Sequence, residues 1–298
     1  MRLTRRASLA AALLPLGGLA PTAAAADGVL KIIVTFSVLA DFVGRIGGAR
    51  VQVTSLVAPD QDLHGFEPRP SDAKAIAAAD VFIANGLGID DAALRLARAV
   101  KTKRPAVIAT RDITPRTMIE GTERVTDPHA WHDAANARRY VGVIADALAA
   151  ADPSHGSDYR TEADAYLTEL GTLDASIHAT FAAIPRAQRR AVTTHDALGY
   201  FGAAYGIDFV APLGLSTDGE PSAKALAALI GQIKRDHIRA LFLENVGRDV
   251  LLQTVSRETG VRIGGQLFSD ALSPPAGVAG TYVAMMRYNS ERLAEALR

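Results

Sequence analysis

PSHGSDYRTEADAYLTELGTLDASIHATFAAI, residues 153–184, decides the architecture. Within it Tyr166, Leu167, Leu170, Leu173, Ile177 and Phe181 recur at steps of three and four residues. That period marks one face of an α-helix, and Pro185 ends it. Gly171, inside the run, costs only about 1 kcal/mol relative to alanine. A helix rises about 1.5 Å per residue, so the segment reads as one long, stiff spacer that holds whatever lies on either side at a nearly fixed separation.

What lies on either side is alternation. Ahead of the spacer, LKIIVTF (30–36), VQVTSLV (51–57), DVFIANG (80–86) and PAVIAT (105–110) read as short buried strands. Between them VLADFVGRIGG, SDAKAIAAA with Ser71 as a cap, and IDDAALRLARAV read as helices. Beyond Pro185 the strands AVTTH, IDFVAPLGL, RALFLEN (239–245) and VRIGGQLFSD alternate with four helical segments, one with Pro221 in its first turn. Strands separated by helices pair in parallel. The predicted fold is therefore α/β: two (β/α) parallel-sheet lobes, 27–152 and 185–298, joined by one long rigid helix, 153–184.

Composition narrows the function. The chain has 298 residues, 49% of them apolar, and its 32 basic and 32 acidic residues cancel. The first 26 residues hold Arg2, Arg5 and Arg6 and no acid, so the remainder is slightly acidic and carries no electrostatic footprint for nucleic acid. No cysteine is present, which removes disulfides, thiolate metal sites and a thiol attachment point for lipid. MRLTRRASLAAALLPLGGLAPTAAAADG has the basic start, short apolar stretch and alanine-rich end of a signal peptide, cleaved after Ala26. Its apolar run is short for a membrane span, and Arg5-Arg6 is compatible with the twin-arginine export route. A periplasmic protein without a lipid anchor is expected. Neither a P-loop nor a complete dinucleotide fingerprint occurs.

Four of the chemistry-bearing residues share one setting. His64 lies in the loop after strand 51–57, in PDQDLHGFEPRPSD; His129 lies in TDPHAWHD, ahead of a helix; His195 closes the strand AVTTH; Asp270 closes VRIGGQLFSD. Ligands of open parallel sheets bind beyond the carboxyl ends of strands. A cleft between the lobes collects two of these residues from each side, and three imidazoles with one carboxylate make a coordination set for a divalent transition metal. Nearby, Asp62, Glu67 and Asp127 are candidates to accept the second N–H of a ligating histidine. Asp196 is a candidate helix cap, and Glu244 points toward the same edge as His195. Trp131 reads as an apolar wall, and His155, His178 and His237 as ordinary surface or core histidines.

The chain resembles the metal-binding solute receptors of bacterial ABC transporters, those that carry zinc and manganese. DLHGFEPRPSD is similar to that family's first-histidine loop, DPHAWHD to its Asp-Pro-His-x-Trp signature, TTHDALGYFGAAYGI to its third-ligand segment, and GGQLFSDALSPPAGVAGTYVAMMRYN to its C-terminal segment with an aspartate ligand. The resemblance implies two lobes joined by a long helix and assigns His64, His129, His195 and Asp270 as metal ligands. Two departures stand out. ATRDITPRTMIEGTERVTDP has no histidine where zinc-specific members often carry a histidine-rich loop, and His132 replaces a usually apolar residue, leaving a spare imidazole near the site.

The implied function is a monomeric periplasmic receptor that captures a divalent metal, zinc first and manganese second, and passes it to an ABC permease. The alternative is an exported metal-dependent hydrolase using the same cluster. Catalytic zinc keeps a coordination position open for water, whereas four protein ligands fill a tetrahedral shell, which favours a binding protein over an enzyme. Binding requires neutral imidazoles, so affinity is expected to fall as pH drops through about 6.5.

Overall fold

The structure, a computed structural model, describes residues 28–120, 123–215, 217, 222–247 and 250–298. The expected signal peptide lies outside the described residues. In chain order the first lobe is built from β1 (Leu30–Val34), α1 (Ser37–Gly47), β2 (Val51–Ser55), α2 (Pro70–Ala78), β3 (Val81–Ala84), α3 (Asp91–Val100) and β4 (Val107–Ile108). The strands form one parallel sheet in the order β2-β1-β3-β4. An antiparallel ribbon, β5 (Thr117–Glu120) with β6 (Glu123–Thr126), and the helix α4 (Ala134–Ala151) follow.

The predicted spacer is α5, Gly156–Ala182, preceded by a single 3-10 turn at Pro153–His155. Its buried face is Tyr159, Ala163, Tyr166, Leu170, Leu173, Ile177 and Phe181, the three-and-four spacing read from the sequence. It is no bare strut. That face packs on α1 and α4 of the first lobe and belongs to one apolar cluster that runs through both lobes. Burying a side chain such as Leu170 or Phe181, each fully inaccessible to solvent, contributes about 1.5–3 kcal/mol, so the connector is fixed to both lobes by its own core.

The second lobe comprises β7 (Arg190–Val192), α6 (Gly199–Tyr205), β8 (Asp208–Val210), α7 (Ala223–Arg235), β9 (Ala240–Glu244), α8 (Val250–Thr259), β10 (Arg262–Leu267) and α9 (Tyr282–Leu297). Its sheet is parallel throughout, ordered β10-β9-β7-β8. In both sheets the first strand of the lobe is central, the second flanks it, and the chain then crosses to the opposite side. The reversal point falls between β1 and β3 in one lobe and between β7 and β9 in the other. A crevice opens at such a point, beyond the strand ends.

Several local expectations are corrected. The strand expected over 105–110 is confined to β4, and AVTTH pairs only through Val192, so His195 stands three residues beyond its strand. Ser71 does not cap α2. The helix begins one residue earlier, at Pro70, and Asp72 accepts the Arg69 N–H at 2.8 Å, the bond by which an N3 side chain reaches back to the residue before the helix. Asp196 does not cap α6, whose first turn is preceded by Leu198 and has no side-chain cap. The β5–β6 ribbon carries no strand signal strong enough to have been read. Among the described residues, no helix is long and apolar enough to cross a membrane.

The lobes are cross-linked along the cleft. Trp131 Nε1 donates to Ser269 O at 3.0 Å, and Tyr282 Oη donates to Trp131 O at 2.7 Å. Asp60 N–H donates to Leu272 O at 2.9 Å, and Leu272 N–H donates to Ser37 Oγ at 2.9 Å. Asn245 Nδ2 donates to Asp60 Oδ1 at 3.0 Å. These bonds tie the loop that carries His64 and the turn that carries Asp270 to the opposite lobe.

Candidate metal centre

His64, His129, His195 and Asp270 meet in the cleft. Each offers one donor atom, and these four atoms all lie within 4.8 Å of one another. His64 Nε2 is 3.2 Å from His129 Nε2 and 3.4 Å from Asp270 Oδ2. Asp270 Oδ1 is 3.5 Å from His129 Nε2, and Oδ2 is 3.1 Å from His195 Nε2. Zinc–nitrogen bonds are about 2.0–2.1 Å, so donors at the corners of one tetrahedron stand about 3.3 Å apart. The cluster has that scale.

Burial makes the fit specific. The side chains of His129, His195 and Asp270 are fully buried, and that of His64 is 9% exposed, so His64 is the member of the cluster that faces the entrance. Both oxygens of Asp270 and both ring nitrogens of His195 lack an aligned hydrogen-bond partner. A buried carboxylate with no compensation costs several kcal/mol. A cation at the centre of these lone pairs supplies the compensation, so the residues present fit a divalent metal.

The rings are aimed by different means. His129 Nδ1 lies 2.9 Å from Asp127 Oδ1, which also accepts the His129 backbone N–H at 3.0 Å. Donation from Nδ1 leaves the Nε2 lone pair facing the centre. Asp127 thus fills the role the sequence suggested. His195 Nδ1 lies 2.7 Å from Glu244 Oε2. The other Glu244 oxygen accepts the N–H groups of Thr194 and His195 at 2.7 and 3.0 Å. This is why His195 can stand off its strand: the end of β9 catches the turn after β7. Asp62 accepts the His64 backbone N–H at 2.8 Å and leaves the ring alone. Glu67 lines a separate surface cavity of about 350 Å³.

The electrostatics follow. Burial works against a charged His195, but the carboxylates of Glu244 and Asp270 outweigh it and hold the imidazole well above its usual pKa. Burial likewise works against a charged Asp270, and the adjacent His195 outweighs it, drawing the carboxyl well below its usual range. Glu244 is lowered by the same contest between burial and His195. His132 is not part of the cluster. It is fully buried beside Trp131, neither ring nitrogen has a partner, and burial holds its pKa down at about 4. Trp131 packs edge-on against His129 with ring centroids 5.3 Å apart, an apolar wall as expected.

Two parallel-sheet lobes, a long helix between them and a closed three-histidine, one-carboxylate cleft define a metal-binding receptor. The chain belongs to the ZnuA family, zinc-uptake complex component A, periplasmic, which matches residues 32–296. It is 35% identical over 269 residues to the manganese-binding lipoprotein MntA of Halalkalibacterium halodurans, covering 90% of this chain and 88% of that one. It is 30% identical over 275 residues to the iron ABC transporter substrate-binding lipoprotein MtsA of Streptococcus pyogenes serotype M1, covering 90% and 89%. The periplasmic zinc-binding protein TroA of Treponema pallidum shares its fold with a TM-score of 0.86 at 27% identity, over 91% of this chain and 99% of that one. The protein is thus the exported, metal-binding component of an ABC transporter, working with a permease, and not an enzyme. MntA and MtsA are named lipoproteins, which runs against the expectation of a chain without a lipid anchor; none of the 298 residues here is cysteine.

Proposed function

We propose that this receptor captures zinc in preference to manganese, through His64, His129, His195 and Asp270, and releases it to the permease for import. The convergence of the four donor atoms within 4.8 Å at a buried point carries the reading. Three imidazole nitrogens suit zinc, and zinc lies above manganese in the divalent affinity order. The names of the relatives span manganese, iron and zinc, so the preference rests on this chain's own donor set. Residues 27–152 and 185–298 are the two binding lobes and 153–184 the connector, in a mature chain that starts at Asp27 and acts in the periplasm.

Elemental analysis of the protein isolated from the periplasm, followed by competition titration, tests the reading. One zinc per chain and displacement of manganese by zinc are expected, with His129→Ala and Asp270→Ala each losing tight binding. Manganese retained against excess zinc overturns the metal preference, and undiminished affinity in both variants overturns the ligand assignment.

A further inference from the structure

The carboxylate that aims His129 is itself held from the protein surface. Asp127 Oδ1 serves His129, and its Oδ2 receives Arg116 Nη1 at 2.7 Å. Asp127 is 1% exposed, while the Arg116 side chain is 38% exposed. Solvent, guanidinium, buried carboxylate, buried imidazole and metal centre therefore form one line.

The β5–β6 ribbon builds that line. Its register pairs Thr117 with Thr126, so the next positions along are Arg116 and Asp127. Asp127 N–H donates to Arg116 O at 3.0 Å, and the two side chains then meet on the same side. The second lobe closes over the pair. Tyr200 of α6 accepts the Arg116 N–H at 2.8 Å, donates to Asp127 O at 3.1 Å, and lies under the guanidinium with its ring centroid 5.3 Å away. Gly199 leaves the room: a Cβ there would overlap the Arg116 guanidinium and sit 2.9 Å from Asp127 Oδ2. The segment without histidines, TPRTMIEGTERVTDP, thus has a use other than direct metal capture.

We infer that Arg116 is a positioning residue for metal binding, acting from the rim of the cleft through Asp127 on the ring of His129. A carboxylate free to rotate would surrender the Nδ1 bond that fixes the tautomer and direction of His129. The guanidinium holds one oxygen through Nη1 and leaves the other for the imidazole. Because it reaches solvent at the lobe boundary, Arg116 is also the point from which a surface contact can loosen one ligand without entering the metal centre. The inference rests on the proposed ligation by His129.

The test measures zinc affinity and the rate of zinc transfer to a chelator in the full chain, with Trp131, the one tryptophan, as the fluorescent reporter. Arg116→Met is expected to weaken binding and speed transfer about tenfold, within the range for partners of metal-bound histidines. Arg116→Lys, which keeps the charge, is expected to recover most of the loss. Gly199→Ala, which keeps Arg116 and displaces its guanidinium, reproduces it. In an Asp127→Asn background Arg116→Met adds nothing further. Wild-type affinity in Arg116→Met, or the same loss in both backgrounds, overturns the inference; the second result marks a residue that merely braces the ribbon. His129→Ala separates the two readings. Lost affinity there with full affinity in Arg116→Met overturns this inference alone, and retained affinity there overturns the ligand assignment beneath it.

Discussion

Each lobe places a buried carboxylate beside its strand reversal, and the two are used differently. In the first lobe Asp90 sits beyond β1 and β3, where it accepts the N–H groups of Asn85 and Gly86 at 2.5 and 2.9 Å and the Thr35 hydroxyl at 2.9 Å. All its bonds close a loop. In the second lobe Glu244 ends β9 and likewise accepts two backbone N–H groups, from Thr194 and His195, but its remaining oxygen faces a histidine ring. Burial raises the pKa of Asp90, and nothing cationic opposes it. Burial pushes Glu244 the same way, and His195 reverses the outcome. One crevice holds a structural plug, and the other lies against the cluster of three histidines and one aspartate. The first lobe instead brings its two histidines to the cluster from longer excursions, the loop after β2 and the turn before α4.

The sharpest way to break this comparison is to neutralise both carboxylates. Glu244→Gln is expected to reduce metal affinity about 10- to 100-fold, the usual consequence of losing a metal-bound histidine's partner. Asp90→Asn should leave affinity near that of the parent and lower stability by about 1.5–3 kcal/mol, the worth of hydrogen bonds to a charged group. Calorimetric metal titration and denaturant unfolding of both variants check this. Equal effects on affinity would show that the first-lobe plug also shapes the site.

A pH series sharpens the electrostatic half of the contrast. His195 is raised in the folded protein above its usual 6.5, so it contributes stability that is full below that value and lost as pH rises through the folded pKa. Asp270 and Glu244 are lowered from 3.8 and 4.5, so their contributions are present above those values and lost only in stronger acid. Above pH 6.5 the thermal midpoint of the metal-free protein should therefore fall as pH rises. Metal competes with the His195 proton, so affinity should begin to decline above pH 6.5, higher than free imidazole chemistry suggests. Metal-free midpoints that rise with pH above 6.5, or affinity flat down to pH 6, would contradict this.

The smallest expected effect belongs to His132. Its pKa is held at about 4 by burial, against 6.5 in the unfolded chain, so its contribution is lost as pH falls between those values. Its ring nitrogens lack partners, and replacing an unsatisfied polar group by an apolar one of similar shape is nearly neutral or stabilising. His132→Leu should keep metal affinity, change stability by less than about 1 kcal/mol at neutral pH, and gain relative to the parent near pH 5. Loss of metal binding would make it a partner in the site.

Much of this was legible in the residues because it depends on local periodicity and on short signatures. The apolar face of α5 could be read at its correct spacing. The alternation around it was equally plain, since buried parallel strands and amphipathic helices leave distinct patterns. His64 stood in a loop after a strand, His129 ahead of a helix, and His195 and Asp270 at strand ends, where a ligand site belongs. The ribbon was not legible: its four-residue strands pair mostly with each other at the surface, and Arg124 and Glu123 mask any alternation. Arg116 carried no signal at all, because a lone arginine before a weak strand looks like solvated surface.

By itself the sequence determined most of the elements and the donor types of the candidate metal centre: helix and strand periods follow from which side chains repeat, and donor types are fixed by residue type. Only the tertiary structure decided which donors face one point, which carboxylate aims which ring, and that Arg116 of one lobe and Gly199 of the other share a boundary. Those are contacts between residues far apart along the chain. Packing of the two lobes against α5 sets them, and no local pattern records how two surfaces meet.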